Sequence, residues 1–118
     1  SLKADLTRHI WWDELPESIS IIDKYPDIIR IPLNDRGDTA LHVAVTRGSR
    51  EIVNVLVNRM SPEEMLIPNS VGKLPVHLAA SYGYNRMVDI LSSQKVLDKM
   101  KSKDIERLFF MTISINMF

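Results

Sequence analysis

Two histidines, His42 and His77, are the residues whose type and spacing first suggest chemistry. An imidazole can act as an acid–base catalyst or as a metal ligand, so two of them at matched positions are a candidate pair for either role. They lie 35 positions apart, and each follows a glycine at the same distance in the sequence. If each histidine begins a helix and the two helices stack as neighbours, about 10 Å separates their backbones. A metal or acid–base pair and a structural role both remain open at this point.

The other common signatures of catalysis are missing from the sequence. No carboxylate pair has a nucleophile or a second metal ligand beside it, and no phosphate loop of the G-x-x-x-x-G-K-[ST] type occurs. The turn at 34–38 is rich in Asn and Asp, but it lacks the alternating ligands and the downstream Glu of an EF-hand calcium loop. The chain contains no cysteine, which excludes disulfides, thiolate metal sites and a Cys nucleophile. We therefore predict a protein that is not an enzyme and that binds no cofactor or metal ion.

Charge and hydropathy narrow the class of partner. Lys plus Arg and Asp plus Glu are both 15, so no net field attracts nucleic acid or an anionic membrane over distance. No apolar run reaches the roughly 18 residues that a membrane-spanning helix needs, and the N-terminus has no signal-peptide pattern. The chain starts at Ser1 and reads as a piece of a longer protein. These features predict a cytoplasmic setting and a protein partner, with no nucleic acid and no direct membrane insertion.

The stretch 34–48 recurs at 69–83 and organises the chain. A constant offset of 35 relates the two copies, and self-similarity at such a period is typical of stacked-repeat proteins. In each copy the pattern predicts a hairpin-like turn, a short helix A and a glycine that ends this helix, followed by a second helix B. The matched pairs are Asn34 and Asn69, Gly37 and Gly72, His42 and His77, Ala44 and Ala79, and Gly48 and Gly83.

The repeat period divides the chain into one domain of four parts. Residues 1–33 form a degenerate first repeat, with helices near 2–12 and 16–25, in which the first helix of the repeat is eroded. Complete repeats follow at 34–68, with helix A at about 40–47, and at 69–103, with helix A at about 76–82. Residues 104–118 form an incomplete third repeat. Its apolar tail, 108–118, falls where a helix A belongs, and we expect this tail to be partly uncovered because no helix B follows it.

The six-residue cores of the two copies resemble the ankyrin repeat. Thr39-Ala40-Leu41-His42-Val43-Ala44 and Leu74-Pro75-Val76-His77-Leu78-Ala79 are close to the T-P-L-H-x-A signature of that family. The resemblance implies an all-α solenoid of stacked helix-turn-helix units joined by short hairpin-like turns. It also implies that the histidine fixes the hairpin and the neighbouring repeat by hydrogen bonds, which favours the structural role. The residues to which a structural role is assigned are Gly37, His42, Gly48, Gly72, His77 and Gly83.

Other stretches resemble plant proteins in which ankyrin repeats precede a C-terminal membrane domain. The stretches concerned are 24–27, 34–42, 60–64 and 108–113. This resemblance implies a place in plant signalling or stress defence, on the cytoplasmic side of a membrane. Two hypotheses follow. The first is a non-enzymatic protein–protein interaction module. The alternative is a structural or regulatory cytoplasmic domain of a membrane protein, whose repeats pack on further repeats. In either case the apolar tail is a candidate surface for association.

The ankyrin resemblance also implies where a partner protein binds. In that family the hairpin tips and the exposed side of helix A hold the partner. Of the adjacent Trp11 and Trp12, we expect one to be in the core, because neighbouring positions on a helix point about 100° apart. For the other, a contact anchor and an ordinary surface position both remain open. The predicted protein-binding residues are Asp35, Arg36, Asp38, Thr46, Arg47, Ser70, Val71, Lys73, Ser81 and Tyr82.

Overall fold

The computed structural model describes residues 1–116, and over that range it contains nine α-helices and no strand. Ser and Thr side chains or prolines start several of the helices. Helix Pro62–Met65, for example, begins with a proline and is capped by a reciprocal pair of hydrogen bonds between Ser61 and Glu64. The predicted all-α solenoid is confirmed. The helices are α1 Leu2–Trp11, α2 Leu15–Lys24, α3 Ala40–Arg47, α4 Arg50–Val57, α5 Pro62–Met65, α6 Pro75–Ser81, α7 Asn85–Leu91, α8 Gln94–Leu97 and α9 Ser102–Asn116.

The long helices form two layers. In the first layer α1, α3, α6 and α9 stack side by side, each packing on the next. In the second layer α2, α4 and α7 pack behind α1, α3 and α6 respectively. A helix inside the first layer has neighbours on three sides, which is why six consecutive residues of α3, Ala40 to Val45, are all buried. Small side chains such as Ala44 and Ala79 allow this close approach.

The helix predicted near 2–12 is present as α1, and it takes the place of helix A in the first repeat, so the expectation that helix A of this repeat is eroded is wrong. Helix α1 packs on α3 as α3 packs on α6, with Leu6 and Ile10 fully buried. The position that ends the helix is occupied by Asp13, which has a left-handed φ of 59°, where the later units have Gly48 and Gly83. The helix is retained, and the sequence signature is what has eroded.

Three short helical segments connect the layers back to the next unit. They are a 3₁₀ turn at Pro26–Arg30 and the one-turn helices α5 and α8. The 3₁₀ turn buries Ile28 and Ile29, which explains the apolar character of this connecting segment.

Helix α9 occupies the place of helix A in the third unit. It packs on α6 along its inner face, where Leu108 is buried. Its other face is largely uncovered, with Ile105, Phe109 and Ile113 exposed, and Phe109 has 60% of its surface accessible. The expectation of a partly uncovered tail is therefore confirmed for the described part of the tail, and Met117 and Phe118 lie outside the described residues. The division of the chain into repeats at 33, 68 and 103 stays a prediction.

Candidate functional site

Two hairpin tips, 34–38 and 69–73, project beside the first helix layer. Each is closed by its asparagine: the Asn34 Oδ1 accepts the backbone N–H of Arg36 at 3.0 Å and of Asp38 at 3.1 Å. Asn69 repeats this with the N–H of Val71 at 3.2 Å and of Lys73 at 2.9 Å. An asparagine at the start of each tip thus sets the shape of both turns.

Asp38 joins the two tips. Its Oδ2 accepts hydrogen bonds from Asn34 Nδ2 at 3.2 Å and from Arg36 Nε at 3.0 Å, and its Oδ1 accepts from Asn69 Nδ2 at 3.1 Å. Burial disfavours the charged carboxylate, but the hydrogen bonds from Asn69, Arg36 and Asn34 outweigh this and lower the pKa of Asp38. The carboxylate is therefore ionised at neutral pH and fully occupied by its neighbours.

The tips also touch through their backbones at Gly37. The N–H of Ser70 donates to the Arg36 carbonyl at 2.9 Å. A Cβ at Gly37 would lie 2.6 Å from Ser70 Oγ and 2.8 Å from Ser70 N, whereas a Cβ at Gly72 would meet nothing within 4 Å. Both glycines have φ near 75°, so they share a conformational role, and only Gly37 is also needed for the contact between tips.

His42 ties helix α3 to the second hairpin. Its Nδ1 accepts the backbone N–H of Thr39 at 3.0 Å, and the Thr39 hydroxyl lies 2.9 Å from the same nitrogen. Its Nε2 lies 2.8 Å from the carbonyl oxygen of Lys73. A carbonyl can only accept, so Nε2 carries the proton and donates it. Burial lowers the pKa of His42, opposed by the hydrogen bond to Lys73.

His77 repeats the arrangement one unit later. Its Nδ1 accepts the N–H of Leu74 at 3.1 Å, and its Nε2 donates to the Asp104 carbonyl at 2.9 Å, in the first turn of α9. Replacing Thr39 by Leu74 therefore removes only a hydroxyl and leaves both backbone links in place. In each ring both nitrogens are engaged, so neither histidine has a nitrogen left for a metal ion or for proton transfer to a substrate. The hypothesis that this pair binds a metal ion or acts in acid–base catalysis is therefore not supported.

A groove with a volume of about 300 Å³ runs between the hairpin tips and the first helix layer. Its base is formed by apolar and aromatic side chains from three consecutive helices of the layer, and its outer wall by the two tips. The lining residues are Thr7, Trp11, Asn34, Arg36, Asp38, Val43, Thr46, Asn69, Val71, Lys73, Leu78 and Tyr82. A second cavity, between α6 and α9, begins at Ser81, next in sequence to the groove residue Tyr82. Its lining residues are Ser81, Arg107, Phe110, Met111 and Ser114.

Most of the predicted protein-binding residues gather along these two cavities. Arg36, Asp38, Thr46, Val71, Lys73 and Tyr82 line the groove, and Ser81 lines the second cavity. Asp35, Arg47 and Ser70 lie outside both linings. A residue that contacts a partner is expected to be exposed, but Asp38 is not: only 6% of its surface is accessible, and its carboxylate oxygens accept hydrogen bonds from neighbouring side chains. Contact of the ten residues with a partner stays a prediction.

The expectation that one of Trp11 and Trp12 lies in the core is wrong, because both side chains are exposed. Trp11 is 44% exposed and lines the groove, and Trp12 is 67% exposed and does not. Arg47 lies over the Trp11 ring, 6.0 Å from its centroid, and its Nε donates to the Trp11 carbonyl. A shift of 35 positions places Trp11 over Thr46 and Ser81, so the repeat period could have identified it as a groove residue.

One other group of side chains has the composition of a metal site. Ligand atoms of His9, Glu14 and Glu17 lie within 4.8 Å of one another. His9 Nδ1 is already hydrogen-bonded to Glu14 Oε1 at 2.8 Å, and Glu17 is exposed to solvent. The pairing holds α1 to the start of α2, which is a sufficient explanation of the cluster.

Among residues 1–116, no helix combines the length and the hydropathy needed to span a bilayer.

Comparison with known proteins agrees with the geometry. A family model described as "Ankyrin repeats (3 copies)" matches residues 19–104, well over half of the chain. The chain is 32% identical over 71 residues, 60% of its length, to the ANK repeat-containing protein nipk-1 of Caenorhabditis elegans. It is 34% identical over 59 residues, half of its length, to the ankyrin repeat-containing protein ITN1 of Arabidopsis thaliana. These alignments span only 12% and 10% of the two relatives.

Proposed function

Since the chain belongs to the ankyrin-repeat family, whose repeats are protein–protein interaction modules, we propose that its groove holds an extended segment of a partner protein. The observation that carries the proposal is the exposure of large side chains in a concave site. Trp11, Val71 and Tyr82 all line the groove and are all accessible to solvent. Aromatic side chains around a concave site are typical anchors of protein interfaces.

The groove is suited to binding rather than to catalysis. Its histidine neighbours are consumed by structural hydrogen bonds, and its one carboxylate, Asp38, is bonded to three side chains. We therefore extend the proposal to a non-enzymatic module. The hairpin tips are held to each other by Asp38 and by the Ser70–Arg36 backbone bond, so the wall of the groove is preorganised and little ordering of the chain opposes binding.

The two adjacent tryptophans provide a matched test. Random 12-residue peptides displayed on phage are selected on the immobilised chain, and the affinities of the selected peptides are measured by fluorescence anisotropy. Trp11→Ala and Tyr82→Ala should each weaken binding about thirtyfold or more, because truncating a hot-spot aromatic typically costs about 2 kcal/mol or more. Trp12→Ala, next in sequence and outside the groove, should change the affinity less than about twofold.

Selection without any binder, or binders that respond equally to all three substitutions, would contradict a groove-based function.

A second function is favoured by helix α9. Its uncovered stripe of Ile105, Phe109 and Ile113 has the spacing of the face that a further helix A covers in this architecture. The chain would then serve as a structural or regulatory part of a longer array. A plant membrane-associated protein acting in signalling or defence, with these repeats on the cytoplasmic side, is one such setting. The similarity to an Arabidopsis protein supports it, while the comparable similarity to a nematode protein does not favour it.

A further inference from the structure

The charges lining the groove do not reflect the neutral balance of the whole chain. The groove and the adjoining cavity are lined by three cationic side chains, Arg36, Lys73 and Arg107, and by a single carboxylate, that of Asp38. The chain as a whole has 15 basic and 15 acidic residues. Within these two linings the basic side chains outnumber the acidic one by three to one, which favours a local positive potential.

Two of these cations keep their charge available for a ligand. Arg36 is paired with Asp38, whose Oδ2 lies 3.0 Å from its Nε. Within the described range, Lys73 and Arg107 make no ion pair, and both are close to His77. Burial is the main cause of the lowered pKa of His77. The charges of Arg107 and Lys73 lower it further, and the backbone hydrogen bond and the charge of Asp104 oppose this shift. Lys73 directly precedes the helix cap of α6 and Arg107 lies in α9, so the two cations belong to neighbouring units, where they line the groove and the second cavity respectively.

Apolar surface lies beside these charges. Val43 and Leu78 form part of the base of the groove, and Trp11 and Tyr82 expose about half of their surface along it. A ligand that complements this arrangement needs an apolar side chain for the base and negative charge for the two cations. Nucleic acid would satisfy the charges only, because phosphate binding needs a denser cationic surface and has no use for a narrow apolar base.

We propose that the occupant of the groove is an acidic extended peptide segment, with an aliphatic or aromatic anchor between Trp11 and Tyr82 and carboxylates beside Lys73 and Arg107. The proposal rests on the proposed function and specifies its partner.

Charge reversal tests the proposal on the same peptide library. Selection is performed in parallel on the natural chain and on the double variant Lys73→Glu/Arg107→Glu. Peptides from the natural chain should be enriched in Asp and Glu around an apolar anchor, and peptides from the double variant in Lys and Arg. The best acidic peptide should bind the double variant about tenfold more weakly and should lose affinity as salt is raised.

Matched controls separate local charge from net charge. The variant Lys24→Glu/Lys95→Glu has the same total charge change at exposed positions outside both cavities, and it should bind the acidic peptide within about twofold of the natural chain. A fluorescein-labelled 12-nucleotide oligothymidylate serves as the polyanion without an apolar anchor. It should bind more weakly than the acidic peptide.

Each alternative result has its own meaning. Peptides that require Trp11 and Tyr82 but show no acidic enrichment, or no response to charge reversal, would overturn the acidic partner and leave the proposed function standing. Peptides indifferent to Trp11 and Tyr82 would remove both. An oligonucleotide that binds more tightly than every selected peptide, and that is lost in the Lys73→Glu/Arg107→Glu variant, would assign the cations to nucleic acid instead.

Discussion

Substituting Asp38 by alanine should destabilise the fold far more than the same change three positions earlier. Asp38 is buried and its carboxylate accepts three side-chain hydrogen bonds, two from asparagines in different hairpins and one from Arg36. Asp35 in the same turn is exposed, and its side chain accepts no hydrogen bond within the structure described. The pair of variants therefore separates the role of Asp38 from the removal of any one acidic residue.

The magnitude follows from the hydrogen bonds that are lost. A buried hydrogen bond to a charged group contributes about 1.5 to 3 kcal/mol, and the partial exposure of Asn34 and Asn69 reduces this to about 1 to 1.5 kcal/mol each. The Arg36 side chain is mostly exposed, so solvent screens its contribution to a small fraction of that. We expect Asp38→Ala to lower the free energy of unfolding by about 2 to 3 kcal/mol, and Asp35→Ala to change it by less than about 0.5 kcal/mol.

Urea denaturation followed by circular dichroism measures both values. Because the pKa of Asp38 is lowered in the folded state, its contribution is complete above the unfolded value of about 3.9 and is lost as the pH falls through the lowered one. The deficit of Asp38→Ala should therefore be the same at pH 5 and at pH 8. Equal stabilities of the two alanine variants would refute the bridging role, and so would a double-mutant cycle with Asn69→Ala that shows additive losses.

Three further outcomes follow from the same structure. Burial lowers the pKa of both His42 and His77, so the free energy of unfolding should be highest above the unfolded pKa of about 6.5. Below that pH it should decrease by up to about 1.4 kcal/mol per pH unit for each histidine. A free energy of unfolding that stays constant between pH 5 and 7 in urea titrations would contradict this. Gly72→Ala should cost about 1 to 2 kcal/mol for its positive φ, and Gly37→Ala clearly more because of its contact with Ser70, so equal costs in thermal or urea unfolding would disprove the contact. If the stripe on α9 is an association surface, Phe109→Ser should lower the mass measured by light scattering at high protein concentration without loss of helix content. If the unsubstituted chain has the mass of a monomer at every concentration, this role is excluded.

Much of the fold was predictable because its determinants are local in the sequence. The glycines with positive φ and the N-caps Ser49 and Ser61 act within a few residues of their own position. Each repeated histidine also accepts a backbone N–H at the start of its own helix, in addition to its bond to the next unit. These local signals locate α3 at Ala40–Arg47 and α6 at Pro75–Ser81, within a residue of the predicted ends at 40–47 and 76–82.

The errors occurred where a local signal was absent or where the determining contact was distant. In the first unit Asp13 takes the left-handed position of a glycine, and its Oδ1 accepts a hydrogen bond from Ser49 Oγ at 2.5 Å, so the end of α1 depends on a residue of the next unit. The burial of Asp38 likewise depends on Asn69, which lies 31 positions later. No local pattern distinguishes it from the exposed Asp35.

The shortening of the chain before α9 gives the groove a direction. The span from histidine to its carbonyl acceptor is 31 residues for His42 and Lys73 but 27 for His77 and Asp104, and the cavity beside α9 is lined by helix residues alone. One half of the face is thus enclosed by hairpin tips, and the other half is open to solvent. An extended ligand along this face would contact hairpin tips at one end and only helix residues at the other, so its two chain orientations are not equivalent. Such a site can select the N-to-C polarity of what it binds.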